Sequence, residues 1–357
     1  MPPQDFVRIA NNFYNSKGLD SNIDRIATDI ELTNYLSEKS NLPKYKVAFM
    51  FICLNPLYWE FAPEMVRGAK EFFLPGHQTD FFFWTDIPEK DEDITQKIRE
   101  EFQKIGVNIK DHNMIYNDII VNSKQMNIDK ITQSVINLRK IANVNVISTE
   151  PLEWPMPTLL RYNLMLQQED KLKDYDYIYY CDVDMQFVNI VGDEIFGNLT
   201  AVQQPMFALR KEYWPPYEPN EFSASYISRP GKIIDDNGKK RFMPLYYAGG
   251  FQGGKSGSFI QAMKEMKALV DKDLAMGYLP IWNDETVWNK FLFNNTPDTV
   301  LNPSYTYPDS LIKEYFEPMW GRSYQPKLKT LTKWFSLSKE GGQHVQDITN
   351  QLKPLQL

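Results

Sequence analysis

Residues 177–185 read Tyr-Ile-Tyr-Tyr-Cys-Asp-Val-Asp-Met. An apolar, aromatic run with strong β propensity stops at two aspartates, Asp182 and Asp184, one residue apart. Such a run reads as a buried strand, and in an open α/β sheet ligands bind beyond the C-terminal ends of the strands. In an extended chain, residues i and i+2 point the same way, so the two carboxylates are expected together. At an effective dielectric near 20, two like charges about 6 Å apart repel by roughly 3 kcal/mol. The pair therefore needs a proton, a set of hydrogen-bond donors or a metal. A divalent cation bound through oxygen, itself holding a phosphate, is the economical reading. The alternative is that one Asp caps the following turn and the other is solvated.

The remaining pattern supplies the sheet. Tyr45–Leu54 reads as a first buried strand, ended by Asn55-Pro56, and residues 59–73 carry apolar positions at helical spacing. Asp80–Thr85 is a second buried strand, ending at Asp86. Amphipathic helices are expected over 92–105 and 124–141, a short strand at Val144–Ser148, and a helix at Leu159–Leu172. This alternation predicts a largely parallel sheet with helices on both faces. Residues 1–44 suit one or two short helices. Residues 201–245, rich in Pro, Tyr and Trp with weak periodicity, suit a pocket wall of loops and short strands. Helices return at 256–276 and 284–295, and the tail from about 325 is basic and polar.

A chain of 357 residues with 43% hydrophobic and 24% charged residues can bury a sizeable core. Net charge of -7 argues against nucleic acid or an anionic membrane as the main partner. Aromatic content is high at 14%; much of it must be core, but carbohydrate sites also favour aromatic faces, which suggests a sugar ligand. Cys53 and Cys181 lie in strand-like runs and read as buried reduced thiols. His77, His112 and His344 show no zinc spacing. No apolar run has the length of a transmembrane segment and the N-terminus shows no signal-peptide pattern, so a soluble, cytoplasmic protein is expected.

Three more segments carry chemistry. Tyr246–Gly254 places four glycines within six residues, so backbone can approach a ligand closely; a bulged strand with a tight turn is the structural alternative. It matches neither a Rossmann nor a Walker pattern. Trp282-Asn283-Asp284-Glu285 opens a helical pattern, where acids cap favourably, while the Trp can stack on a sugar face. Trp154-Pro155-Met156-Pro157-Thr158 precedes Arg161, which can bind phosphate oxygens or orient a donor sugar.

In this order and spacing, the blocks FICLNPLYWEF (51–61), FFLPGHQTDFFFWTD (72–86), YYCDVDM (179–185), YYAGGFQGG (246–254) and WNDETVWNKF (282–291) resemble glycosyltransferase family 6, which includes the blood-group A and B transferases and the α1,3-galactosyltransferase. The resemblance runs from about Tyr45 to about Lys339. It implies a GT-A fold, Rossmann-like and mostly parallel, with a mixed acceptor-binding subregion. On that basis 1–44 is an N-terminal helical extension and 45–190 the nucleotide-sugar-binding half. Residues 191–324 form the acceptor-binding and catalytic half, and 325–357 a C-terminal tail or lid. The implied reaction is retaining transfer of GalNAc or Gal from a UDP-sugar to a galactose-containing oligosaccharide acceptor in α1,3 linkage.

Carried over by position, the resemblance implies that Phe51, Cys53 and Tyr58 hold the uracil and ribose. Arg161, Val183, Ala248, Gly249, Gly250, Asp284 and Lys339 complete the donor site. Asp182 and Asp184 bind Mn²⁺ or another divalent cation, Gln204 and Trp282 contact the acceptor, and Glu285 is the catalytic carboxylate. Small residues at Ala248 and Gly250 leave room for an N-acetyl group, favouring UDP-GalNAc over UDP-galactose. Golgi members carry a membrane anchor, and none is expected here; many bacterial members replace the metal aspartates with asparagines. Keeping both aspartates, the chain looks like a soluble microbial or viral member that needs a cation. Lys339 fits one basic position of the family's tail; no Arg stands at the second, where His344 lies nearby. An Asp-x-Asp phosphatase is disfavoured because the motif comes late and Met185 follows it. A sugar-binding module without turnover would lose Asp182, Asp184 or Glu285, and all three are present.

Overall fold

A computed structural model describes residues 44–59, 61–104, 114–116, 119–121, 128–141, 143–205, 207, 217–227, 233–234, 240–241, 246–308 and 326–330. The helices expected within 1–44, and Lys339 and His344 of the tail, lie outside the described residues.

The elements follow the alternation of the sequence. β1 (Lys46–Cys53) leads through α1 (Pro56–Trp59) and α2 (Phe61–Phe72) to β2 (Gln78–Thr85). Then come α3 (Asp91–Lys104), the hairpin of β3 (Met114–Tyr116) and β4 (Ile119–Val121), α4 (Ile128–Leu138) and β5 (Val144–Ser148). Three short helices, α5 (Met156–Leu159), α6 (Arg161–Leu166) and α7 (Glu169–Leu172), precede β6 (Tyr177–Cys181) and β7 (Met185–Phe187). After them come β8 (Thr200–Gln203), the small pair β9 (Ile233–Ile234) and β10 (Lys240–Arg241), and β11 (Tyr247–Lys255). The described chain closes with α8 (Ser256–Ala275), α9 (Asn283–Asn294), β12 (Thr299–Leu301) and β13 (Leu328–Thr330).

Seven strands form one mixed sheet in the order β12-β8-β11-β6-β1-β2-β5. β6, β1, β2 and β5 are mutually parallel, β12 is parallel to β8, and β11 runs antiparallel to both β6 and β8. The α/β sheet flanked by helices is therefore the expected one, GT-A-like in layout. Strands from both sides of residue 190 share it, because β6 lies between β1 and β11.

Both faces of β1 are buried, as a central parallel strand requires. Phe49, Phe51 and Cys53 enter one apolar layer with Ala62, Met65 and Val66 of α2. Met50, Ile52 and Leu54 enter the other, with Tyr162 and Met165 of α6, Met263 and Met266 of α8 and Trp288 of α9. Each large side chain so buried contributes roughly 1.5–3 kcal/mol of transfer free energy. Cys53 and Cys181 are buried free thiols, as expected, and burial pushes both well above the ordinary thiol range.

The one helix expected over Leu159–Leu172 is three. Leu160 (ψ 9°) and Gln168 (ψ 17°) are joints outside helical geometry. Leu159, Tyr162, Met165 and Leu172 are all fully buried, yet on a straight helix they would drift by roughly 140° around the axis. The joints turn the segment so that all four face the core, and they start α6 at Arg161.

The glycine block is a bulged strand that also makes a close approach. β11 pairs with β8 at Ala248↔Val202 and next at Gln252↔Ala201, so Gly249, Gly250 and Phe251 bulge out of that ladder. Further along, Gly254 has φ +146°, and a Cβ there would lie 2.2 Å from the Asn198 carbonyl oxygen. Gly254→Ala is expected to cost about 3 kcal/mol or more, because the atoms it would meet, in Asn198 and Leu199, are all backbone. A urea melt of the variant within about 1 kcal/mol of the wild type would contradict this.

Candidate active site

A cleft of about 400 Å³ opens where β1, β6 and the bulge of β11 end, closed on the far side by the start of α9. Its geometry is organised by the backbone of one residue, Gly249. Arg161 Nη1 donates to the Gly249 carbonyl oxygen at 3.0 Å and Gln252 Nε2 donates to the same oxygen at 2.8 Å. The Gly249 N–H donates to Glu285 Oε2 at 2.9 Å. Gln252 is itself held by the Tyr162 hydroxyl at 3.1 Å.

Arg161 is 3% exposed and ties two carboxylates together. Nη1 lies 3.0 Å from Asp284 Oδ2 and Nη2 lies 3.3 Å from Asp182 Oδ1, while the guanidinium stacks 4.4 Å above the Tyr180 ring. The Tyr180 hydroxyl donates to Asp182 Oδ1 at 2.8 Å. The glycines make room for these acids. A Cβ on Gly249 would stand 2.8 Å from Asp284 Oδ2, and one on Gly250 would stand 3.0 Å from Asp182 Oδ2.

The register of α9 against β11 is fixed by Asn289, which is buried. It accepts from the Tyr247 N–H at 2.9 Å and donates to the Tyr247 and Glu285 carbonyls at 2.8 Å each. Burial pushes the Glu285 carboxyl up to about 8; the Gly249 N–H opposes that shift and Asp284 adds to it. Burial likewise pushes Asp284 up to about 7 against the pull of Arg161. Among the described residues lining the cleft, Asp182, Asp184, Asp284 and Glu285 face a single guanidinium. That imbalance favours an additional cation or bound protons.

The path of the Asp-x-Asp motif differs from the extended one expected. The strand stops at Cys181, and the Asp182 N–H donates to the Gly250 carbonyl at 2.9 Å. Val183 and Asp184 then form a turn, because β7 leaves the central sheet to pair with β13. Both carboxylates still line the cleft, and Asp182 keeps a side-chain exposure of 35%, enough to meet a ligand.

Of the residues singled out in the sequence, Tyr58, Arg161, Val183, Gly249, Gly250, Asp284, Glu285 and Trp282 line the cleft together. Phe51, Cys53, Ala248 and Gln204 are not among its lining. Phe51 and Cys53 point into the opposite apolar layer, and the alternate positions Ile52 and Leu54 reach the cleft instead. Ala248 is buried, and the Gln204 N–H donates to the Tyr246 carbonyl at 2.9 Å beside the bulge. Sequence reasoning missed Asn55 and Tyr180. Tyr180 was accessible in principle, standing two residues before Asp182 on the same strand face.

Comparison with known proteins places the chain in a family. The model of the family described as "Glycosyltransferase family 6" matches residues 126–316. The chain is 33% identical over 139 residues to the histo-blood group ABO system transferase 1 of Rattus norvegicus, covering 39% of this chain and 37% of that protein. It is 22% identical over 252 residues to the globoside alpha-1,3-N-acetylgalactosaminyltransferase 1 of Gallus gallus, covering 71% and 59%. It is 27% identical over 176 residues to the O-antigen biosynthesis glycosyltransferase WbnI of Escherichia coli, covering 49% and 70%. The chain thus spans less than two thirds of the length of the first two. Among the described residues no helix is long and apolar enough to cross a membrane.

Proposed function

The chain belongs to glycosyltransferase family 6, and from that premise we propose that it is a retaining glycosyltransferase that moves GalNAc from UDP-GalNAc to the 3-hydroxyl of a β-galactoside-type acceptor in α1,3 linkage. UDP-galactose is the alternative donor. The observation that carries the proposal is the convergence of Glu285, Asp284, Arg161 and Asp182 on the Gly249–Gly250 bulge inside one cleft. The similarity over 71% of this chain to the globoside alpha-1,3-N-acetylgalactosaminyltransferase 1 of Gallus gallus supports the donor and the linkage.

In the mechanism that follows, the bond from the anomeric carbon to the UDP phosphate oxygen breaks. Arg161, fully charged in its buried site, adds positive charge beside the departing diphosphate. Glu285 stands with one oxygen fixed by the Gly249 N–H. Its carboxylate either attacks the anomeric carbon to form a glycosyl-enzyme or stabilises an oxocarbenium-like state during front-face transfer. The acceptor 3-hydroxyl attacks from the side the diphosphate left, and its proton passes to the departing phosphate. Trp282 offers an apolar face for the acceptor sugar.

The donor set in the cleft fits a hard divalent cation such as Mn²⁺, since Asp182 and Asp184 supply carboxylate oxygens and both nearby thiols are held protonated. Among the described residues no group of three or more His, Cys, Asp or Glu stands ready to hold a metal alone. Asp182 and Asp184 would therefore hold it jointly with donor phosphate oxygens and water. When bound, the cation supplies charge neutralisation for the leaving diphosphate.

The test is UDP release from UDP-GalNAc and UDP-galactose with and without Mn²⁺. Release that needs the cation is expected. Replacing Asp182 and Asp184 together by Asn should abolish metal dependence and lower activity at least a hundredfold, on the order of a lost metal-ligand pair. Equal turnover after exhaustive chelation would contradict the metal assignment.

A further inference from the structure

The carboxylate of Asp86 is unused by the mechanism above, yet it holds one wall of the cleft. Asp86 follows the last residue of β2 and reaches sideways to the exit of β1. The Asn55 N–H donates to both of its oxygens, at 3.1 and 3.2 Å, and Trp59 Nε1 donates to Oδ1 at 2.8 Å. Hydrogen bonds to an ionised acceptor are roughly twice as strong as neutral ones.

The turn gripped in this way is an unusual piece of backbone. Asn55 has φ +80°, a left-handed conformation that few residues other than glycine adopt and that asparagine tolerates best. The Tyr58 N–H closes the turn onto the Asn55 carbonyl at 2.9 Å, and Cys53 Sγ donates to the Tyr58 carbonyl at 3.1 Å. Trp59 is fully buried, and its indole N–H gives Asp86 a second hold on the turn, four residues beyond Asn55. Asn55 and Tyr58 line the cleft, whereas Asp86 does not.

The sheet order places this turn on one side of β6 and the Gly249–Gly250 bulge on the other. Glu285, Asp284 and Arg161 gather at the bulge, where charge is handled. The β1 side offers Ile52, Leu54 and the Tyr58 ring. An apolar and aromatic wall with backbone amides nearby suits a planar nucleobase.

We propose that Asp86 is a positioning residue that holds the Asn55–Trp59 turn in the shape that receives the nucleobase of the donor. The inference rests on the nucleotide-sugar reading of the cleft. It separates the donor into a nucleoside end governed by Asp86 and a diphosphate end governed by Asp182, Asp184 and Arg161.

Calorimetric titration of the full chain with UDP and with pyrophosphate, each with Mn²⁺, tests it. Asp86→Ala should weaken UDP binding at least tenfold while pyrophosphate binding stays within twofold. Asp86→Asn, which keeps one acceptor oxygen, should fall between the two and serves alone if the alanine variant does not fold. Equal weakening of both ligands would make Asp86 merely structural and overturn the proposal, as would unchanged UDP binding. Failure of the wild type to bind UDP, with pyrophosphate still bound, would instead overturn the nucleotide-sugar reading and this inference with it.

Discussion

Glu285→Gln is expected to lower kcat about a thousandfold or more while leaving donor affinity within about threefold, the signature of a group that acts mainly in the transition state. Glutamine keeps the volume, and its amide oxygen can still accept from the Gly249 N–H that holds Oε2 now. What it removes is the negative charge that the proposed mechanism places next to the anomeric carbon. The pH dependence carries the same information. Burial pushes the free enzyme's Glu285 up to about 8, so below that pH the carboxyl carries a proton. The wild-type kcat/KM for donor should therefore fall as pH is lowered from about 8, and the residual activity of the Gln variant should lack that limb. Stability runs the opposite way. With a folded value near 8 against an ordinary 4.5, the stability associated with Glu285 is fully present below 4.5 and lost as pH rises through about 8. Relative to wild type, Glu285→Gln should gain stability between acid and mildly basic pH. A variant that loses donor affinity and kcat alike, with the pH limb intact, would contradict the assignment.

Arg161→Ala should do damage of a second kind, lowering both stability and turnover. The guanidinium holds Asp284, Asp182 and the Gly249 carbonyl at once and is 3% exposed. Breaking a buried ion pair by removing one partner typically costs about 3–5 kcal/mol, because the other charge stays buried unpaired. Turnover should fall by roughly a thousandfold as the charge beside the diphosphate disappears. Lysine should rescue little, since a single ammonium cannot reproduce the planar fork. Pairing Arg161→Ala with Asp284→Asn should restore much of the stability and none of the activity, and thermal melts with UDP-release rates would show it. Recovery of both would mean that Arg161 only neutralises Asp284.

How much of this was legible in the sequence depends on what each feature needs. Strands β1, β2, β5 and β6 were readable because continuous apolar runs bounded by turn residues have few other solutions. Helices α2, α8 and α9 announced themselves through the 3.6-residue spacing of residues such as Met65 and Ala69, or Met263 and Met266. The break of the expected Leu159–Leu172 helix was invisible, because local propensity does not know where the core lies. The faces of β1 were equally hidden. With both sides buried, Phe51 and Ile52 look alike in sequence, and only the pairing to β2 and β6 decides that Ile52 reaches the cleft.

The acidic pair is visible in the sequence, but its geometry is not. Strand alternation ends at Cys181, and the turn at Val183–Asp184 is imposed by the distant strand β13. Contacts such as Asp86 to Asn55 and Arg161 to Gly249 join segments 31 and 88 residues apart. No local pattern marks such pairs. The chemistry of the site was therefore readable as a set of residue types, while the hub at Gly249 needed the fold.

The most direct test is a proton NMR time course of the protein with UDP-GalNAc or UDP-galactose, a β-galactoside and Mn²⁺. UDP is expected to appear together with a new α-anomeric signal linked to the galactose 3-position, with UDP-GalNAc consumed faster. No UDP release from either donor would contradict the transferase assignment, and a β-anomeric product would contradict the placement of Glu285.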